Sequence, residues 1–136
     1  MSGKSRARHR PDVPRHEQQI FQFGALSFDV EKAHRLLREA PRPRCRIPVE
    51  PWARLYGLDD NPGSLIAPGP TFDRAYAMTT DLSRPVILAL LETEDQLGNP
   101  ILIDGCHRLY HANARGVIDL PAYQLTITET RTIRLA

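Results

Sequence analysis

Apolar residues along this 136-residue chain fall into short blocks set apart by proline and glycine, with no single long periodic stretch. Ile20 to Phe28 alternates weakly and predicts a strand or extended segment. Asp29 follows where a helix needs an N-cap, since its carboxylate can accept from the free amides of the next turn. Val30, Ala33, Leu36 and Leu37 then repeat at helical spacing. Pro41 ends that helix, because the residue before a proline is pushed out of the α region. The stretch from Pro41 to Pro51 must be extended, with Ile47 and Val49 able to form a short strand. Pro51 suits the first turn of a second short helix, WARLYG, whose apolar side carries Trp52, Leu55 and Tyr56. From Gly57 to Pro70 the chain is rich in Gly, Pro and Asp and predicts a long irregular loop, of the kind that is often functional or mobile. Thr71 is the expected cap of a third helix, FDRAYAMTT.

The second half is patterned more strongly. Pro85 to Leu91 is a continuous apolar run, as expected of a central strand buried on both faces. Glu92 to Asn99 reads as a polar hairpin connection leading to a second strand at Ile101 to Ile103. A helix is predicted from Cys106 to Arg115, with Gly116 placed to end it in the left-handed conformation. Pro121 to Thr126 predicts a third strand, and Glu129 to Leu135 a short final helix or extended end. There are no internal repeats.

Length allows one small domain, read as residues 20–136. No apolar run approaches the ~20 residues that cross a bilayer, so no membrane partner is expected and the location is read as cytoplasmic. Residues 1–19 lack apolar periodicity and read as a disordered basic tail, five basic residues against two acidic giving it a net +3. The remainder, with 13 basic and 14 acidic groups, is near neutral and carries no electrostatic footprint for nucleic acid. The tail adds at most weak, salt-sensitive affinity for a phosphate backbone. Cys45 and Cys106 lie far apart without a secretory context, so each is expected as a thiol. Arg44 and Arg46 can approach an anion or serve as plain surface charges.

Chemistry concentrates in PILIDGCHRLYHANARG, Pro100 to Gly116. Asp104-Gly105 after a buried strand forces a sharp turn, and glycine lets the backbone come close to a bound group. The amides of Cys106, His107 and Arg108 then become the unpaired donors of a helix N-terminus, which favours an anion, most often phosphate. Arg108 can hold a phosphate through two parallel hydrogen bonds, and His107 adds another donor. His111 and Arg115 stand further along as supporting basic groups. A thiol at this position beside His107 and Arg108 is expected to have a lowered pKa, although spacing alone favours Cys106 as a small buried filler. His107 and His111 are one turn apart, but no third ligand is evident and no metal is expected.

ILIDGCHRLYHANARGVIDLPAYQLT resembles the signature region of the ParB/sulfiredoxin superfamily: strand, glycine-containing phosphate turn, basic helix, Gly, then a strand opening with Pro. Gly105-Cys106-His107-Arg108 matches the sulfiredoxin form of the turn, and the resemblance covers residues 71–136. It implies a compact α+β domain, a small mixed sheet with helices packed on it, in a bacterial-type protein. It also implies a nucleotide, ATP or CTP with or without Mg2+, bound through its phosphates by Asp104, Gly105, Cys106, His107 and Arg108. Four functions follow as expectations: a stand-alone nucleotide-binding domain with or without a protein partner; a sulfiredoxin-like ATP-dependent thiol enzyme with Cys106 as nucleophile; a small plasmid or phage DNA-associated accessory protein; and a small-molecule kinase. The chain departs from both named branches. The basic and hydroxyl residues that sulfiredoxins place upstream are not identifiable, and no helix-turn-helix of the ParB kind is read within these 136 residues.

Overall fold

The computed structural model describes residues 20–60, 72–94 and 98–135. The predicted disordered tail, residues 61–70 of the predicted loop, the Thr71 cap and residues 95–97 of the hairpin connection lie outside them. The described chain is an α+β fold. In order it contains β1 (Ile20–Phe23), β2 (Leu26–Asp29), α1 (Val30–Glu39), β3 (Cys45–Pro48), α2 (Val49–Leu55) and α3 (Arg74–Ala77). There follow β4 (Val86–Leu91), β5 (Asn99–Asp104), α4 (Cys106–Ala114), β6 (Asp119–Gln124) and α5 (Ile127–Ile133).

The predicted first strand is in fact an antiparallel hairpin, with Ile20 opposite Asp29 and Phe23 opposite Leu26. Gly24, at φ +61°, makes the reversal. Asp29 caps α1 as expected, accepting from the Lys32 amide at 3.0 Å. Val49 belongs to α2 instead of a strand, and Pro51 sits in that helix's first turn, where its missing amide costs nothing. Asp73 caps α3, accepting from the Tyr76 amide at 3.0 Å. The last helix begins earlier than predicted, behind a capping box in which Thr126 and Glu129 bond each other's backbone amides.

The main sheet has the order β3-β6-β4-β5. It is mixed: β4 runs parallel to β6 and antiparallel to β5, while β3 is antiparallel to β6. The apolar run of β4 is thereby explained, since Val86 and Leu88 enter one core and Ile87 and Ala89 the other. Helices α2 and α4 cover the first face through Val49, Ala53, Leu109 and Ala112. On the second face lie Phe28 of β2, Ala33 of α1 and Ile133 of α5.

The outer edge of β5 is closed by a side chain. The Tyr56 hydroxyl donates to the Leu102 carbonyl at 2.9 Å and accepts from the Leu102 amide at 2.8 Å. One phenol thus satisfies both polar groups that a neighbouring strand would have taken.

Candidate functional site at the strand-turn-helix junction

The junction between β5 and α4 is shaped by a register shift. Ile87 pairs with Asp104 and Leu88 with Leu102, so Ile103 is an extra residue on β5. A one-residue bulge reverses the alternation beyond it. Counting on from Leu102, Asp104 belongs to the α4 face; the bulge turns it to the α1 face, where its carboxylate meets His34 Nε2 at 3.0 Å.

Gly105 comes next at φ +116° and is the N-cap of α4. A Cβ built there would lie 2.7 Å from Val86 Cβ and closer still to Val86 Cγ1. Glycine is therefore demanded by the left-handed turn and by the sheet beneath it. The close approach expected of this glycine is made here to Val86 of the sheet. Having no side chain, Gly105 cannot cap the helix. The first intrahelical bond runs from the Leu109 amide to the Gly105 carbonyl at 2.8 Å, so the amides of Cys106, His107 and Arg108 have no acceptor within α4.

The side chains of the turn divide between two directions. Arg108 is buried, 7% exposed, and faces inward. Its guanidinium donates to the Pro85 carbonyl at 3.2 Å and to Asp104 Oδ2 at 3.4 Å, while its Nε is buried without a partner among the described residues. The expected bidentate grip of Arg108 on a phosphate is therefore replaced by a brace across the junction. Burial pushes the Asp104 carboxyl up, but the hydrogen bond from His34 and the charges of Arg108 and Arg84 outweigh it and hold the group below its ordinary range.

His107 faces the other way. Its ring stacks on Phe72 with centroids 4.5 Å apart and meets Tyr76 edge-on at 5.1 Å. Nε2 accepts from the Asp73 amide at 3.1 Å, so a neutral ring carries its proton on Nδ1. Arg74 lies over the Phe72 and Tyr110 rings at 5.7 and 5.8 Å, tied to Asp60 at 2.6 Å. The first turn of α4 thus opens onto a wall of aromatic and cationic groups.

Cys106 departs from expectation. It packs against the core beneath α4, and burial, then the Asp104 charge, push its thiol up to about 12, with Arg108 opposing. The predicted lowering of its pKa is reversed in sign. His111, 8% exposed, is also structural: Nδ1 lies 3.2 Å from both the Thr80 carbonyl and the Thr80 hydroxyl, fixing the segment before β4 to α4. Arg115 is exposed at the far end of α4, about 15 Å from Gly105 at 1.5 Å per residue, beyond reach of the turn. The arginines considered from sequence are engaged elsewhere. Arg44 leans on Tyr123, and Arg46 pairs with Asp119 at 2.6 Å.

The residue that sequence reading passed over is His34. Its only signal was a histidine on an otherwise charged helix surface, 70 residues from its partner. For a nucleotide's phosphates, the amides at the start of α4 and His107 fit, whereas Arg108 does not reach outward. A metal fits less well: among the described residues no group of three or more His, Cys, Asp or Glu is placed to hold an ion. The carboxylates of Asp73 and Asp104 are already engaged, so Mg2+ would have to be held mainly by the phosphates it accompanies.

No protein-family model, curated protein or solved structure matches this chain. Among the described residues no helix is long and apolar enough to cross a membrane.

Proposed function

We propose that this chain is a nucleotide-binding domain of ParB/sulfiredoxin type, taking ATP or CTP through its phosphates at the N-terminus of α4. The observation that supports the reading is the start of α4, where the N-cap Gly105 has no side chain to cap the turn and His107 stands beside it. Amides at a helix start and a helix dipole attract an anion, and the Phe72, Tyr76 and Tyr110 rings cluster about His107 and Arg74 beside it. Asp104, Gly105 and Arg108 shape the turn, Cys106 and His107 contribute its amides, and His107 is the side-chain ligand. Mg2+, where required, arrives on the nucleotide. The reading carries with it a cytoplasmic location. Sulfiredoxin-type thiol chemistry is left out of the proposal, because a thiol raised to about 12 supplies almost no thiolate at neutral pH.

Calorimetric titration with ATP, CTP and GTP, with and without Mg2+, tests it. Binding by the wild type, weakened about tenfold in His107→Ala and retained in Cys106→Ser, is the expected result. No binding of any nucleotide by the wild type, with or without divalent cations, sinks the proposal.

A further inference from the structure

A pocket of about 290 Å3 lies on the α1 face of the sheet, on the far side of Asp104 from the first turn of α4. It is lined by His34, Leu37 and Arg38 of α1, by Pro41 and Arg42 just after it, by Arg84, Pro85 and Ile87 at the start of β4, and by Tyr123 of β6. Three arginines and a histidine face this space, and among the described residues no acidic side chain lines it.

These cations are not equivalent. Arg42 is already neutralised: its two terminal nitrogens meet Glu129 Oε1 and Oε2 at 2.6 and 2.7 Å, and it also donates to the Ala40 carbonyl. Arg42 thereby covers the carbonyl end of α1, which would otherwise repel an anion. His34 gives its Nε2 proton to Asp104, fixing the ring at the pocket wall with Nδ1 as its second polar atom. Arg38 and Arg84 have no ion-pair partner within 4 Å among the described residues, and they approach the pocket from two different elements. The wall between them is apolar, made by Leu37, Pro41, Pro85 and Ile87, with the Tyr123 ring at the end.

Arg84 acts at longer range on Asp104 and Asp81. Arg38 and Arg84 together bring two guanidinium groups without a close ion pair, among the described residues, to an apolar, aromatic-ended cleft. We infer that the pocket binds a compact phosphate monoester, its phosphoryl group between Arg38 and Arg84 and its organic body against Leu37, Ile87 and Tyr123. Arginine is the residue suited to planar, paired recognition of phosphate oxygens. The volume is at the lower end of the ~300–1,000 Å3 usual for small-molecule sites, larger than inorganic phosphate needs and small for a nucleoside triphosphate. This site is separate from the α4 first turn and does not depend on nucleotide binding there.

The test is an NMR titration of the full chain with phenyl phosphate, with inorganic phosphate and sulfate in parallel arms. The expected result is a saturable set of amide shifts confined to 34–42, 84–87 and 123, with phenyl phosphate tighter than either inorganic ion. Arg38→Ala and Arg84→Ala should each weaken it about tenfold, and the double variant should abolish it. Both arginines are exposed, so the variants should keep the wild-type melting curve and their response to nucleotide at His107. Absence of shifts in the pocket, equal response to sulfate, or undiminished binding by the double variant overturns the inference. Shifts produced by a short DNA duplex but not by phenyl phosphate would assign the arginines to a nucleic-acid backbone, and also overturn it.

Discussion

Arg108 and His107 are neighbours in sequence and opposites in role. The first is buried and braces Asp104 and Pro85, while the second stands in an aromatic wall beside the helix start. Gly105 decides both directions, because it sets how α4 leaves the strand. Gly105→Ala meets a disfavoured left-handed backbone and a collision with Val86 together, so we expect a loss of ~2–4 kcal/mol, read from the midpoint of urea unfolding. Cys106 provides a second residue-level expectation. Its alkylation by iodoacetamide at neutral pH should be far slower than that of the exposed Cys45, and should climb only as the pH nears 12 or the protein unfolds. Rapid labelling of folded Cys106 at pH 7, followed by peptide mass spectrometry, would contradict the burial argument.

At the scale of elements, helix ends carry much of the order. The box of Thr126 and Glu129 starts α5, and the same glutamate anchors Arg42 from the segment after α1. Thr126→Ala should cost about 1 kcal/mol by thermal unfolding, because it removes the acceptor of the Glu129 amide. Elements with local signals were legible in the sequence: Asp29 and Pro41 bracket α1, the apolar run marks β4, and Gly105 and Gly116 bracket the α4 segment. The β1–β2 hairpin was not, since a lone glycine among mixed residues is a weak turn signal. Val49 looked like a strand residue because β-branched side chains favour strands, but packing on the α2 face prevails. The bulge at Ile103 was invisible too, as it arises from pairing between strands. With it went the direction of Asp104, and so the link to His34 and the pocket beyond. The turn itself could be read from the motif; which side chains faced outward could not, because burial of Arg108 is decided by residues 85 and 104 together.

Over the whole molecule, His34, Asp104 and Arg108 join α1, β5 and α4 around the end of the sheet. A carboxyl whose folded pKa is depressed contributes stability that is present above its unfolded value, ~3.9 for aspartate, and is lost as pH falls through the folded value. Stability should therefore decline as the medium is acidified below about pH 4. Asp104→Asn should be destabilised at pH 7, with its deficit shrinking in acid; urea midpoints from pH 7 to pH 3 would show whether the two curves converge. The phenol of Tyr56 has a consequence on a larger scale still. With Leu102 sealed and Pro100 lacking an amide, the β5 rim of the main sheet offers little for another chain to join. Among the described residues, the opposite edge of the main sheet is β3. Two molecules meeting rim to rim through β3 would each be left with the sealed β5 edge of the main sheet, so association through that sheet stops at a pair.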